Sequence, residues 1–259
     1  MKAMKKIVLL LLCLAMVLGM AACGGNATTE TKSGTKSETK SETTTTAPET
    51  SETATETTAD PANTTYQDTI TVGVANDITT LDPQGSNTDA NMMAFTLTHE
   101  TLVELDPETN EVIPGMATSW TTSDDGCTFT FEIPENVTFS DGTPCTANDI
   151  KFTFERAAES SFTKTKVELV TNIEVVDDTH VAITISKPSQ DFLMLLAHQS
   201  MSILSEKLVN EDEFGYEIGT GMFAVETWTP GDQISFVRSD YFHGEPAPTK
   251  RIVYRLIKE

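Results

Sequence analysis

The chain has 259 residues, of which 22% are charged and 38% hydrophobic, enough for one large or two small globular domains. Acidic residues outnumber basic ones by 39 to 17, a formal charge of −22. So acidic a chain repels phosphate backbones and excludes nucleic acid as a partner.

The first 22 residues read as a targeting signal. Lys2, Lys5 and Lys6 precede an apolar run over 7–18, and Gly19, Ala21 and Ala22 lead into Cys23. A positive start, a short apolar stretch and small residues describe a secretory signal. A membrane span needs about 20 apolar residues, which this stretch barely supplies, and no basic stop-transfer cluster follows. The small residues running into Cys23 resemble a bacterial lipoprotein lipobox, with Met20 a less usual occupant of its first position. That resemblance implies cleavage before Cys23 and acylation of its sulfur, anchoring the chain at the extracytoplasmic face of the membrane.

Residues 23–65 form the next segment. From Asn26 to Thr65 the chain is mostly Thr, Ser, Glu, Ala and Lys, with seven acids, three lysines and no Leu, Ile, Val, Met or aromatic residue. Such a stretch cannot offset the entropy of ordering itself and is expected to be an extended, solvated tether.

Residues 66–259 are the expected folded part, with 32 acidic against 11 basic residues. Alternating apolar and polar residues predict strands over 69–74 and 127–133, the second after the turn signal at 123–126. Residues 172–176 and 180–185 should pair across Asp177 and Asp178, and 223–228 with 233–238 across Pro230, Gly231 and Asp232. A further strand is expected over 251–257. Helices are fewer. Thr146 with Asp149 makes a capping box ahead of Ile150, Phe154, Ala157 and Ala158 on one helical face. Asp89 is expected to cap a helix through Met92, Met93 and Leu97, Ser189 an apolar one over 192–197, and Ser205 a short fourth. This order predicts a mixed α and β fold and disfavours a simple Rossmann sheet. Of four cysteines, Cys127 and Cys145 fall in the folded part. Spacing does not show whether they meet, and two separate buried thiols are the simpler expectation.

No catalytic constellation is visible. His99, His180, His198 and His243 lack paired metal-ligand spacing, and no nucleophile elbow, dinucleotide turn or phosphate loop is present. The Asp-Asp-Gly and Asp-Gly runs at 124–126 and 141–142 read as turns rather than calcium loops. The pattern points to a binding protein rather than an enzyme, with neither cofactor nor metal.

The order of motifs is more specific. TVGVANDITTLDP at 71–83 is followed by HETLVELD at 99–106, PGMATSW at 114–120 and SDDG at 123–126. Then come TFTF at 128–131, VTFSDGTP at 137–144, TANDIKF at 146–152, GTGMF at 219–223 and RSDYFHG at 238–244. Together they resemble the family 5 extracellular solute-binding proteins of ATP-binding-cassette importers, which include oligopeptide, dipeptide and nickel binders. His99, Ser140 and Met222 depart from the family's common Tyr or Phe, His and Pro.

The resemblance implies a periplasmic-binding-protein-like α/β fold, a two-lobe clamp about twice this length of which residues 66–259 look like the first lobe. It also implies a lipid-anchored monomer that passes a peptide or other small solute to ABC permease subunits. Ligands of such folds sit where loops leave strand ends. The loop after the first strand, with Ala75, Asn76 and Asp77, and the segment 87–93, with Asn91 and Met92, are therefore expected to line the cleft. Gly219, Thr220 and Gly221 match a cleft-side turn where glycine lets backbone approach closely. For Asn91 and Met92, and for the glycine turn, ordinary packing is an open alternative. Three functions compete: peptide capture; the same fold with nickel chelate, haem or oligosaccharide, with Met92 the only feature hinting at metal; and an adhesive or inactive surface lipoprotein.

Overall fold

Phe129 and Phe131 point to one side of their strand and Thr128 and Thr130 to the other, and that two-residue period organises the larger of two cores. In this computed structural model residues 66–257 are described, apart from residue 213. The expectations for the signal segment, Cys23 and the tether lie outside the described residues.

In chain order the elements are β1 (Thr69–Val74), α1 (Asp89–Thr98), β2 (Val103–Leu105), β3 (Val112–Pro114), β4 (Ser119–Thr122) and β5 (Thr128–Glu132). Then follow α2 (Ala147–Glu159), β6 (Val170–Val175), β7 (His180–Ile185), α3 (Phe192–Leu196) and α4 (Glu206–Glu211). The last three are β8 (Phe223–Thr229), β9 (Gln233–Arg238) and β10 (Arg251–Leu256). They form two four-stranded sheets and one hairpin. The first sheet runs β1-β10-β9-β8 and uses both ends of the described chain, with β1 parallel to β10 and the other pairs antiparallel. The second, β4-β5-β7-β6, is antiparallel throughout and comes from the middle. β2 pairs with β3 alone.

The second sheet is built on side-chain register. Phe129 lies opposite Ile183 and Phe131 opposite Val181, all four buried. α2 lays Ile150, Phe154 and Ala157 into that core. Its start is fixed by the expected capping box: the Thr146 hydroxyl accepts from Asn148 N, and Asp149 accepts from Thr146 N at 2.9 Å. The first sheet has a core of its own, in which Val74, Phe223, Ile234, Phe236 and Tyr254 meet Ala90 and Ala94 of α1.

Several expectations need adjustment. Thr88, not Asp89, occupies the N-cap of α1, so Asp89 acts in the first turn through the helix dipole instead of as a cap. The cap position of α3 is Asp191 rather than Ser189, and no side chain caps that helix. Ser205 caps α4 as expected, accepting from Leu208 N. β2, β3 and β4 carry only three or four residues each, too few for alternation to show, and the sequence reading missed them. Cys127 and Cys145 are both free; Cys145 is buried, while Cys127 is only half-buried.

Asp149 gives a test of how the core is held. Its second oxygen accepts from Glu206 N at 3.0 Å, so one buried carboxylate serves both the α2 cap and the entry to α4. Asp149→Ala removes the cap and strands two backbone donors, and should lower stability by about 3 kcal/mol in urea denaturation. A loss below about 1 kcal/mol would show that neither tie matters.

Candidate functional site

β1 ends at Val74, and the chain then leaves the sheet through an exposed loop that carries Ala75 and Asn76. Asn76, Asp77 and Thr79 of this loop form one side of an open groove of about 590 Å³, and residues 87–90 at the start of α1 form the other. Two carboxylates, Asp77 and Asp89, lie along it and no basic side chain does. The remaining lining is amide and hydroxyl, apart from Ala90.

The loop is held from both sides. The Asp77 carboxylate accepts from Gly231 N at 2.8 Å, which fastens it to the β8–β9 turn. Gly231 sits at φ +75, a conformation that favours glycine. From behind, Asn91 is fully buried and grips Thr79 twice: its Oδ1 accepts from Thr79 N at 3.0 Å and its Nδ2 donates to Thr79 Oγ1 at 3.2 Å. Asn91 therefore faces the loop and not the groove. Met92 is half-buried on α1 and is not part of the groove lining.

Gly219, Thr220 and Gly221 lie elsewhere, packed on the other end of α1, about 10 Å along its axis from Asn91. A Cβ at Gly219 would overlap the Thr98 carbonyl oxygen, and one at Gly221 would come within 2.6 Å of the Leu97 carbonyl oxygen. Gly221 N donates to that same Thr98 carbonyl at 3.0 Å. The glycines thus let the turn close against a helix terminus, and Ser140 N is tied to the Gly219 carbonyl at 2.9 Å. Thr220 is buried with its hydroxyl unpartnered.

One residue that sequence reasoning missed stands beside the groove. Phe162, in the loop after α2, is 42% exposed, and its carbonyl accepts from Asn87 Nδ2 at 3.4 Å. The available signal was a lone aromatic in a polar run, Ser160-Ser161-Phe162-Thr163-Lys164, outside any helix or strand pattern.

His99 follows α1 directly and is buried against Phe95. Its Nε2 lies 3.2 Å from the Tyr216 carbonyl, which can only accept, so the neutral ring is assigned its proton there and Nδ1 receives the Thr98 hydroxyl at 2.8 Å. Burial lowers its pKa to about 4, against the partial support of the Tyr216 carbonyl and the Asp82 charge. Next in the chain, Glu100 pairs with His243 at 3.0 Å, and that hydrogen bond raises the His243 pKa despite partial burial. Among the described residues no group of three or more His, Cys, Asp or Glu side chains is arranged to hold a metal ion. No helix among them is long and apolar enough to cross a membrane.

The two sheets and the groove at a strand end define one lobe of a periplasmic binding protein. The chain belongs to the bacterial extracellular solute-binding proteins, family 5, whose model matches residues 111–259. These are binding components of ABC transporters, not enzymes. It is 33% identical over 182 residues to the glutathione-binding protein GsiB of Escherichia coli K12, which covers 68% of this chain and 35% of that protein. The chain thus spans about a third of the length of the curated relatives it matches. Among solved structures it resembles NikZ of Campylobacter jejuni in complex with Ni(L-His), at 26% identity and a TM-score of 0.65, covering 74% of this chain and 40% of that one. It also resembles DppA of Helicobacter pylori in complex with peptide STSA, at 25% identity and a TM-score of 0.67, covering 73% and 42%.

His99 yields a pH prediction with a definite sign. Above pH 6.5 the ring is neutral in both states; as pH falls from there toward about 4, the unfolded chain takes up a proton that the folded lobe refuses. Stability should therefore drop on the acid side by up to roughly 3 kcal/mol from this group alone. His243 acts the other way, supporting the fold at low pH and losing that support as pH rises through its raised value. Comparing wild type with His99→Phe by urea denaturation between pH 7.5 and 4.5 isolates the first effect. Equal pH slopes in the two proteins would show that His99 is protonated inside the fold.

Proposed function

We propose that this chain contributes the substrate-binding component of an ABC importer for short peptides, held outside the membrane by lipid on Cys23. The observation that carries the reading is the lining of the groove. A captured peptide must find partners for a donor and an acceptor at every residue, and Asn76, Thr79, Asn87 and Thr88 offer both kinds. Asp77 and Asp89 suit an ammonium end, and the exposed ring of Phe162 suits an apolar side chain. In this reading Asn76 and Asp77 meet ligand, with Ala75 beside them, while Asn91, with Met92 next to it on α1, supports the loop from behind. Gly219, Thr220 and Gly221 brace the far end of α1.

The mechanism follows from differential affinity. Ligand that touches this wall and a second lobe shifts an open–closed equilibrium toward the closed form, which the permease subunits recognise. The family membership, the likeness to GsiB and the likeness to peptide-bound DppA support this choice of ligand. The likeness to NikZ supports a second reading, capture of a nickel chelate.

Titration of the 259-residue chain with glutathione, the tetrapeptide STSA and Ni(L-His), followed by amide NMR, separates the readings. Because the groove is open, peptide binding should be weak, about millimolar, with shifts confined to Asn76, Thr79 and residues 87–90. Shifts produced by Ni(L-His) alone would favour the second reading, and an unmoved groove with all three would refute both.

The anchor has its own test. Cys23→Ser should move the protein from the membrane fraction to the medium or leave its signal uncleaved. Retention at the membrane with normal signal cleavage would rule out lipid attachment at this residue.

A further inference from the structure

We propose that Arg156 is a positioning residue for the groove, setting the separation of its two sides from outside it; this inference rests on the binding reading above. Arg156 lies in the last turn of α2 and reaches the turn Pro83–Gly85 that leads into α1. Its guanidinium is bidentate on Asp82: Nη1 donates to Oδ1 at 3.0 Å and Nη2 to Oδ2 at 2.5 Å. Nη1 also donates to Gln84 Oε1 at 2.9 Å. Buried Gln84 in turn donates from Nε2 to the Thr153 carbonyl at 2.9 Å, and its own carbonyl accepts from the Ser160 hydroxyl at 2.7 Å. Thr153, Arg156 and Ser160 follow one another at spacings of three and four, so one face at the end of α2 holds the whole turn.

Both sides of the groove hang from that clamped turn, which lies between them in the chain. One side begins at Ser86, immediately after the clamped turn, and continues through Asn87 and Thr88 into α1. The other side, Asn76, Asp77 and Thr79, runs straight on into Asp82, and Phe162, beside the groove, follows Ser160 by two residues. The bond from Asn87 Nδ2 to the Phe162 carbonyl, at 3.4 Å, is long and exposed, so it is too weak to hold Phe162 beside the groove alone.

The chemistry of the clamp favours positioning over bulk stability. A largely buried ion pair contributes little net stability compared with an apolar pair of similar shape, because desolvation offsets the attraction. A fork with three bonds in fixed directions instead defines one geometry, which a lysine ammonium cannot reproduce. Asp82 is already committed to the turn, since its Oδ1 accepts from Gln84 N at 3.0 Å, so the guanidinium locks a preformed shape.

Arg156→Lys and Arg156→Gln, made in the 259-residue chain, test the proposal without any ligand. Two readings are taken: amide exchange at Thr79 and Thr88, neither of which touches Arg156, and the ¹⁹F shift of 4-fluorophenylalanine placed at position 162. The expected result is exchange about ten-fold faster at both amides and a displaced fluorine signal, with Phe131 and Ile183 in the second sheet unchanged. Unchanged groove amides would overturn the proposal, and so would equal acceleration at every amide, the mark of a general stabiliser. Should Arg156→Gln not fold, Arg156→Lys decides on the same readings; a lysine variant that also fails to fold makes Arg156 a fold determinant and overturns the positioning role. Absence of peptide binding by the wild type would sink the binding reading and leave these rates untouched.

Discussion

β1 and β10 lie side by side in parallel, with Thr69 opposite Arg251 and Val74 opposite Leu256, although about 180 residues separate them. Closing so long a loop opposes folding by roughly 5 kcal/mol on chain-entropy grounds. The apolar burial on the first sheet is large enough to offset it, since each fully buried side chain such as Phe236 or Ile234 contributes about 1.5 to 3 kcal/mol. The intervening chain is not idle loop. It folds into a second sheet with its own core, and this removes most of the freedom that closure would otherwise have to restrain.

Where the groove lies follows from that closure. β1 delivers the chain to the sheet's edge at Val74, and the loop beyond it is fixed by one element far away in sequence and one close by. Gly231 in the β8–β9 turn takes Asp77, and Asn91 on α1 takes Thr79. The tie to Gly231 exists only once β8 and β9 have joined the first sheet, so the exposed loop inherits part of its shape from the core beneath it. Charge has a similar economy. In a strongly acidic lobe several of the bases join separate segments: Arg156 on Asp82, Arg251 on Glu226, Lys250 on Asp68 and His243 on Glu100.

What the sequence disclosed was whatever depends on neighbours in the chain. β5 and β7 were legible because alternation is local, and α2 because Thr146 and Asp149 sit within one turn of each other. β2 to β4 were not, since strands of three or four residues acquire their identity from a partner. The glycines at 219 and 221 show the limit most clearly. Their presence announced a close backbone approach, but what approaches is the end of α1, and nothing in the local sequence names it. Asn91 fell in the expected segment for a reason that spacing could not reveal: one helical position decides whether an amide faces the groove or the loop behind it. Phe162 and Arg156 were missed because each acts through residues some 70 positions away.

The polarity of the groove also limits what this wall can do by itself. Before ligand arrives, its amides, hydroxyls and carboxylates are hydrated, so each new hydrogen bond is an exchange with water worth only about 0.5 to 1.5 kcal/mol. Four such bonds amount to roughly 2 to 6 kcal/mol, while association itself costs about 4 to 15 kcal/mol in lost freedom. An open polar wall therefore reads a ligand without holding it tightly. Holding requires that water be excluded, because the same bonds are stronger in a lower dielectric and a mismatched ligand then leaves buried groups unpaired. On the proposed binding reading, the groove of the β1–α1 loop would contribute selectivity, and affinity would have to come from closure over it.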